Sequence, residues 1–406
     1  MSFDREALLR AGAAGAQGDP ADFVVAADHF LARGELEPAA SALDRAHALA
    51  PDDRHVLEQR RDVLERLTVI EHDLVFRYVP AGTFLMGSTS GDPDERPVHP
   101  VTLAAFWIAE VPMTWSTWCD LMGWQPPPSG EPPQVHEDDE RMRGFHLHEA
   151  NKIRRGYCLG ADELFPVEPD EDADAWWKAE DDDEPYSEHG QIDEWRLRAP
   201  QRPTRPLAYD RKPMVAVGWA DAEALAERMT SARSRFALPS EAQWEKAARG
   251  GLIGKRYAWG DSPPTPELCD FGHFGQFELA DPRNLPANGY GLHGMCGGVW
   301  EWTATLYDAL AYAHAVEGRD LAELEARPDA RLLALNDHSA RASVDPDLLD
   351  RPHLRVLRGG SWADGAAAVT TSVRMAREGW GWQSGLWSGS DTPNVGFRLI
   401  RLGSPP

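Results

Sequence analysis

The sequence at residues 288–302 is NGYGLHGMCGGVWEW, a run in which five glycines separate short apolar and aromatic groups. Four further glycine-punctuated or aromatic blocks surround it: YVPAGTFLMGS at 78–88, LPSEAQWEKAARGG at 238–251, RVLRGGSW at 355–362 and NVGFR at 394–398. Short apolar segments broken by glycine predict short strands joined by tight turns. Because helical spacing occurs between them, the chain from Leu74 onward is predicted to form a mixed α+β domain.

Helices in this domain are predicted at three places. Ser240 begins a Ser-x-x-Gln capping box, which predicts a helix that ends at Gly250. Residues 115–122 have amphipathic helical spacing. Residues 220–229 have the same spacing and follow a strand that is predicted to end at Trp219.

The five blocks, in this order, resemble the formylglycine-generating enzyme family, which is also called the sulfatase-modifying-factor family. The resemblance implies a variant of the C-type lectin fold, with much irregular loop and bound calcium. The family includes copper-dependent formylglycine-generating enzymes, iron-dependent sulfoxide synthases, a pyoverdine maturation enzyme and the variable proteins of diversity-generating retroelements. The fold therefore does not by itself choose between an enzyme and a binding protein.

The predicted domain covers residues 72–403 and contains two insertions. The first, at 124–205, is proline-rich and then acidic, with fifteen Asp or Glu and one Lys between 161 and 195. That composition predicts a solvated loop. The second, at 305–354, is rich in Ala, Asp, Leu and Arg and has helical spacing.

Residues 1–68 predict a short all-α hairpin followed by a capping helix. Gly34 permits the turn between the first two helices and Pro51 ends the second. The run resembles one tetratricopeptide repeat. A lone repeat cannot bury its own apolar face, so the hairpin is expected to pack on the next domain or on a protein partner.

The composition restricts the partners. The 406 residues include 66 acidic and 41 basic side chains, for a formal net charge of −25. This charge repels phosphate backbones and anionic membranes, so neither nucleic acid nor membrane is an expected partner. The sequence lacks a run of roughly 18 apolar residues and an apolar leader segment, so we expect a cytoplasmic protein.

The resemblance also implies where copper would bind. The copper-dependent enzymes hold copper(I), which prefers thiolates, with two cysteines that follow the GGS motif. Those positions are Asp364 and Val369 in this chain. Cys296 is interpreted as a small buried thiol. Oxidation of a thiol to an aldehyde is therefore not expected, and neither iron nor copper is an expected cofactor.

A separate metal hypothesis concerns His136, His146 and His148 in the first insertion. Two imidazoles and a nearby carboxylate suit non-haem iron, provided that His146 and His148 lie on an extended segment. With His293 and Glu301, these histidines form the ligand set of an alternative function, an iron- or copper-dependent oxidoreductase.

Calcium is the one cofactor that the resemblance favours. It implies a site built from the carbonyl groups of Gly297 and Val299 and the carboxylate of Glu301. The side-chain oxygen ligand of that site falls on Gly294, so one of the roughly six to eight oxygens that calcium needs is missing. A buried Glu301 satisfied by backbone N–H groups is the alternative. Asp270 matches a second family calcium site.

The segment between the GGSW and GFR motifs carries three tryptophans among glycine and serine. The resemblance places this segment at the rim and floor of an open face. Rigid aromatic side chains give contact area at a small entropy cost, which is typical of binding surfaces. The predicted cup has Trp300 and Trp362 as its floor and Trp380, Trp382, Trp387 and Arg377 as its rim.

We therefore predict a ligand- or peptide-binding module whose cup takes a peptide, protein or small molecule. The oxidoreductase is one alternative. A variable protein of a retroelement is another, although its adenine mutagenesis of AAY codons cannot produce tryptophan. A scaffold that binds a partner through residues 1–68 is the third. Arg374, Arg377 and Arg398 are expected to make the cup locally positive.

Overall fold

The computed structural model describes residues 19–122, 211–215, 217–273, 279–316, 354–378 and 394–403. It opens with the helices α1 (Pro20–Ala32), α2 (Leu36–Leu49) and α3 (Arg54–Arg66). The Asp19 and Asp53 carboxylates accept hydrogen bonds from the first-turn N–H groups of α1 and α3. Gly34 has φ 75°, a left-handed conformation that suits glycine at the tight turn. The predicted N-terminal helices are thus confirmed.

Arg60 fastens these helices to the rest of the chain. Its guanidinium is buried and pairs with Asp44 of α2 at 2.6 Å. It also donates to the carbonyl oxygens of Gly289 at 2.6 Å and Gly250 at 3.2 Å. Its Cζ lies 4.6 Å from the ring centre of Tyr290. The helical hairpin therefore packs on the following domain.

The strands are short. In chain order they are β1 (Val69–Glu71), β2 (Leu74–Val79), β3 (Gly82–Met86), β4 (His99–Leu103), β5 (Phe106–Ala109), β6 (Arg235–Ala237), β7 (Trp300–Leu306), β8 (Leu354–Arg358), β9 (Arg374–Glu378), β10 (Val395–Gly396) and β11 (Ile400–Leu402). An antiparallel sheet has the order β1-β2-β5-β11-β6, and a mixed sheet has the order β10-β7-β8-β9 with β10 parallel to β7. β3 and β4 form a separate pair. The fold class is α+β, as predicted, and the C-type lectin variant stays a prediction.

The described residues also form the helices α4 (Trp115–Met122), α5 (Trp219–Met229), α6 (Glu241–Arg249) and α7 (Ala311–Val316). The capping box of α6 is confirmed, because Ser240 Oγ accepts from Gln243 N and Gln243 Oε1 accepts from Ser240 N. The prediction of a strand that ends at Trp219 is wrong, because the described residues just before Trp219 form no strand and Trp219 begins α5. Asp221 accepts the N–H of Gly218 and starts that helix instead.

The two predicted insertions are described only at their edges. Residues 124–205 lie outside the described part of the chain. Within 305–354, β7 continues to Leu306 and α7 follows it, while residues 317–353 are outside. β7 and β8 are antiparallel neighbours, so the second insertion leaves and re-enters the domain between two paired strands.

The core contains arginine–glutamate pairs as well as apolar side chains. Arg398 pairs with Glu301 at 2.7 Å, Arg374 pairs with Glu241 at 2.6 Å, and Arg358 pairs with Glu245, all with the arginine and glutamate buried. Removal of one partner from such a pair leaves an uncompensated buried charge, which is strongly destabilising. None of the described helices has the length and apolar character needed to cross a membrane.

Candidate functional site

Trp300 and Trp362, the predicted floor, both belong to the hydrophobic core. Trp300 begins β7 and Trp362 follows the glycine pair after β8. Their exposed fractions are 4% and 1%, so both indoles are packed in the described structure. The backbone N–H of Trp300 donates to the carbonyl oxygen of Asn394, and that of Trp362 donates to Gly298. Contact between these indoles and a ligand stays a prediction.

Asp364 lies beside this floor and is held by three donors. Its Oδ2 accepts from Trp300 Nε1 at 2.8 Å, from Ser361 N at 2.9 Å and from Ser361 Oγ at 2.5 Å. All three donors are neutral. The other carboxylate oxygen, Oδ1, receives no hydrogen bond from a described residue. The side chain is half-buried, and among the described residues this oxygen is an acceptor without a donor.

Asn394 extends the network by one hydrogen bond. Its Nδ2 donates to Ser361 Oγ at 3.0 Å. The orientation of the amide follows from the serine, because the single hydroxyl proton of Ser361 is used on Asp364 and the facing amide atom must therefore be a donor. Asn394 Oδ1 then points away from Ser361, and it is buried without a hydrogen-bond partner among the described residues.

Two of the three arginines that were expected to make the cup positive are neutralised by buried glutamates. Arg374 donates to both oxygens of Glu241, and Arg398 donates to both oxygens of Glu301. Both guanidiniums are buried in neutral pairs, so the expectation of a positive cup is wrong for these two residues. Arg377 lies on β9 opposite Arg355 of β8.

The two positions that the resemblance assigns to copper-binding cysteines have other roles here. Asp364 offers a carboxylate, which is a hard oxygen ligand, and Val369 is fully buried. Cys269 and Cys296 lie close together, with Cys269 Sγ donating to the carbonyl oxygen of Cys296 at 3.0 Å. Burial raises the pKa of both thiols, and it therefore favours the protonated form over the thiolate that binds copper(I).

The predicted calcium ligand Glu301 already has two protein partners. Its Oε2 accepts from Trp244 Nε1 at 2.8 Å and from Arg398 Nε at 2.7 Å, and its Oε1 accepts from Arg398 Nη2 at 2.7 Å. The same guanidinium reaches the carbonyl oxygens of His293 and Gly294. As placed, these groups do not fit calcium, because a permanent cation neutralises the carboxylate and Gly294 adds no side-chain oxygen.

Of the backbone ligands predicted for that calcium, Gly297 and Val299 lie in the turn before β7. Gly297 has φ 77°, and a Cβ there would meet Cys269 Sγ and the Asp270 carbonyl, so backbone conformation and packing both require glycine without any metal. Asp270, the residue of the second calcium prediction, is 2.5 Å from His273 Nε2 through Oδ1 and accepts Ala280 N through Oδ2. The His273 ring stacks on Trp362 with a centroid distance of 5.5 Å.

The residues of the iron hypothesis are only partly described by the structure. His136, His146 and His148 lie outside the described residues. His293 is described, and its Nδ1 is 2.7 Å from the carbonyl oxygen of Leu285 while its Nε2 is 3.6 Å from Glu110. His293 therefore has the contacts of a structural histidine. Within the described ranges, no three His, Cys, Asp or Glu side chains are grouped to hold a metal ion.

Three of the four predicted rim residues are not among those that the structure describes. Trp380, Trp382 and Trp387 are outside the described residues, and Arg377 is half-buried. The sequence reasoning did not identify Asp364, Ser361 and Asn394 as one polar network. One local signal was available, because Ser361-x-x-Asp364 is a spacing at which a serine and a carboxylate often bond within a turn.

Most of the chain is similar to one known domain family. The sulfatase-modifying factor enzyme 1-like domain matches residues 70–402. The formylglycine-generating enzyme of Streptomyces coelicolor is 35% identical over 37% of this chain and 42% of its own length. That of Mycobacterium tuberculosis is 30% identical over 56% of this chain and 72% of its own length.

A relative with a different name is the inactive C-alpha-formylglycine-generating enzyme 2 of Bos taurus. It is 32% identical over 48% of this chain and 52% of its own length. The chain thus spans about half of this relative and of the Streptomyces enzyme. Among solved structures, PvdO of Pseudomonas aeruginosa has a TM-score of 0.46 and 17% identity over 82% of this chain and 97% of its own. On the match over residues 70–402, the chain belongs to the family of sulfatase-modifying factor enzyme 1-like domains.

Proposed function

We propose that this chain is a ligand-binding member of its family that does not oxidise thiols. The observation that carries the proposal is the environment of Asp364. A carboxylate, anchored by Trp300 and Ser361, stands where the resemblance assigns one copper thiolate, and the buried Val369 stands at the other position. Copper(I) is a soft ion that such a pair does not hold.

The Bos taurus relative supports this proposal, since its name is that of an inactive family member. The formylglycine-generating enzymes among the relatives support the rival, an oxidoreductase with another ligand set. The carboxylate favours binding because its three donors make it a rigid acceptor beside two buried indoles. A preorganised acceptor of this kind costs little entropy when a ligand binds.

The test uses the full chain with its tryptophan indoles labelled with nitrogen-15. The Trp300 indole N–H donates to Asp364, so its signal, assigned with Trp300→Phe, reports on the site. We expect a pool of unstructured peptides to shift this signal saturably. We expect no aldehyde, by mass spectrometry, in a cysteine-containing peptide incubated with the protein and copper. Aldehyde formation by the unmodified chain would overturn the proposal.

Two sets of variants complete the test. The double variant Asp364→Cys with Val369→Cys should gain copper(I) binding, which identifies these two positions as the missing ligands. Replacement of Trp380, Trp382 and Trp387 together with alanine should abolish peptide binding without a change in the unfolding midpoint. Unchanged peptide binding in that triple variant would remove the tryptophan rim from the proposal.

The proposal also includes a cytoplasmic location and a protein partner that binds through residues 1–68. A groove of about 510 Å³ lies between α3 and residues 287–291, and the exposed Leu57 and Arg61 line it. A partner that co-purifies with the full chain and is lost with Leu57→Asp would support this second contact.

A further inference from the structure

The chemistry of the Asp364 site narrows the class of ligand, and this inference rests on the proposed function. Asp364 Oδ2 takes all three hydrogen bonds that the described residues give this carboxylate. Oδ1 is left as an acceptor that carries half of the negative charge. The site therefore presents a charged acceptor to whatever approaches it.

Four buried glutamates of the domain differ from Asp364 in how their charge is compensated or removed. Glu241, Glu245 and Glu301 are buried, and each pairs with an arginine. Glu95 is also buried, and burial raises its pKa toward the neutral form. Asp364 has only neutral donors in the described structure, so its charge lacks the compensating cation that the three paired glutamates have. A ligand with a positive charge would supply it.

Asn394 adds a second acceptor within two hydrogen bonds of Asp364. Its Oδ1 is buried and unpartnered in the described residues, which is costly for a polar atom. Its orientation is fixed by Ser361, so the amide keeps its oxygen, and not its N–H group, at this buried position. Among the described residues, the two side-chain oxygens of the network without a partner, Asp364 Oδ1 and Asn394 Oδ1, are both acceptors, so N–H donors match this network better than further acceptors do.

A metal cation suits these atoms less well than an organic one. Calcium and magnesium need about six or more oxygens, and the network offers one carboxylate oxygen and one amide oxygen. The flanking groups are aromatic, with the Trp300 indole bonded to Asp364 and the His273 ring stacked on Trp362. The quadrupole of an aromatic ring makes its face partially negative, and such a face stabilises a nearby ammonium or guanidinium group.

We infer that the Asp364 site binds an organic cation, either a protonated amine or a guanidinium, by a charge-assisted hydrogen bond to Asp364 Oδ1. Lysine or arginine side chains of a peptide and free amines share this chemistry. A phosphate or carboxylate would meet a charged acceptor and be rejected. The site therefore selects by charge before it selects by shape.

The experiment compares matched probes on the nitrogen-15-labelled full chain. The Trp300 indole signal is followed during titration with n-butylammonium and with 1-butanol, then with the N-acetyl amides of lysine and norleucine. We expect saturable shifts with the two cations and none with their neutral twins. A larger effect of the lysine amide than of butylammonium would identify a peptide side chain as the better source of the cation.

Asp364→Asn is the matched variant, because an asparagine oxygen can still accept from Trp300 and Ser361. It should weaken the affinity for both cations by about 10- to 100-fold, the effect of losing a charged acceptor. An unchanged urea midpoint would show that the variant is folded. Equal affinity of variant and parent for the lysine amide would overturn the inference.

The remaining outcomes separate this inference from the proposed function. Equal shifts by lysine and norleucine amides would overturn the preference for a cation and leave a ligand-binding site. A response to the peptide pool with no response to either cation would have the same meaning. No response of Trp300 to the pool or to any probe would overturn both.

Discussion

Glu301 and Asp364 lie on either side of Trp300, one next to it in sequence and one bonded to its indole. The Glu301 carboxylate is fully buried and both of its oxygens accept from Arg398. The Asp364 carboxylate is half-buried, and in the described part of the chain only its Oδ2 accepts hydrogen bonds, all from neutral donors. The difference separates a carboxylate that serves the fold from one that is available to a ligand.

The largest effect is expected from breaking the Glu301 pair. Arg398→Met leaves Glu301 buried beside Trp244 without its cation, and we expect a loss of about 3 to 5 kcal/mol in the free energy of unfolding. Urea unfolding followed by tryptophan fluorescence measures this loss. The double variant Arg398→Met with Glu301→Gln should recover part of it, because no buried charge remains. A loss under about 1 kcal/mol for the single variant would contradict the assignment.

A second prediction concerns His47, a buried ionisable group on α2 near the Arg60 contact. Burial, with a further contribution from the Arg60 charge, lowers the pKa of His47 from 6.5 to about 4. Between these two values the unfolded chain binds a proton at His47 and the folded chain does not. Protonation therefore favours unfolding, and the free energy of unfolding is full above the unfolded pKa and decreases as the pH falls from 6.5 toward 4. The loss should reach roughly 3 kcal/mol near the lower limit.

Urea unfolding across this pH range measures the dependence, and His47→Gln is its matched control. The variant should lose most of the change between the two limits because glutamine does not titrate. A parent and variant with parallel pH profiles would show that His47 is not the titrating group.

Local patterns in the sequence were enough for several elements of the fold. The Ser240 capping box and Gly250 predicted both ends of α6, because a helix cap depends on residues three or four apart. The prediction of a strand before Trp219 was wrong because a local apolar run does not show whether its residues pair with another strand. The apolar residues of that run pack in the core, as Val215 and Val217 do, without pairing as a strand.

The candidate site depends on contacts that no local pattern contains. Trp300 reaches Asp364 across 64 positions and Asn394 reaches Ser361 across 33. The sequence therefore suggested that Trp300 is a floor residue and, separately, that Asp364 replaces a copper-binding cysteine. Only the fold joins them, since β7, the loop after β8 and the residue before β10 meet at one place.

A smaller effect on stability is expected at Asp364. Asp364→Asn keeps an oxygen for Trp300 and Ser361, so the free energy of unfolding should change by less than about 1 kcal/mol. Asp364→Ala leaves those donors unpaired and should cost about 1 to 3 kcal/mol. Urea midpoints of the two variants give this contrast. Equal, large losses in both would place Asp364 with Glu301 as a carboxylate needed for folding.

The smallest effect is expected from calcium. If Arg398 is the permanent cation of Glu301, millimolar calcium and excess chelator should give melting temperatures within about 1 °C of each other. A site that binds calcium only in the folded chain would instead add about 2.7 kcal/mol at a hundredfold excess over its dissociation constant. Differential scanning calorimetry measures the two conditions, and Glu301→Gln is the control. A calcium-dependent rise in melting temperature that disappears in Glu301→Gln would mean that Glu301 binds a metal as well as Arg398. Glu301 would then no longer be a carboxylate that serves the fold alone. The remaining difference between the two carboxylates would be that Asp364 has no cationic partner among the described residues.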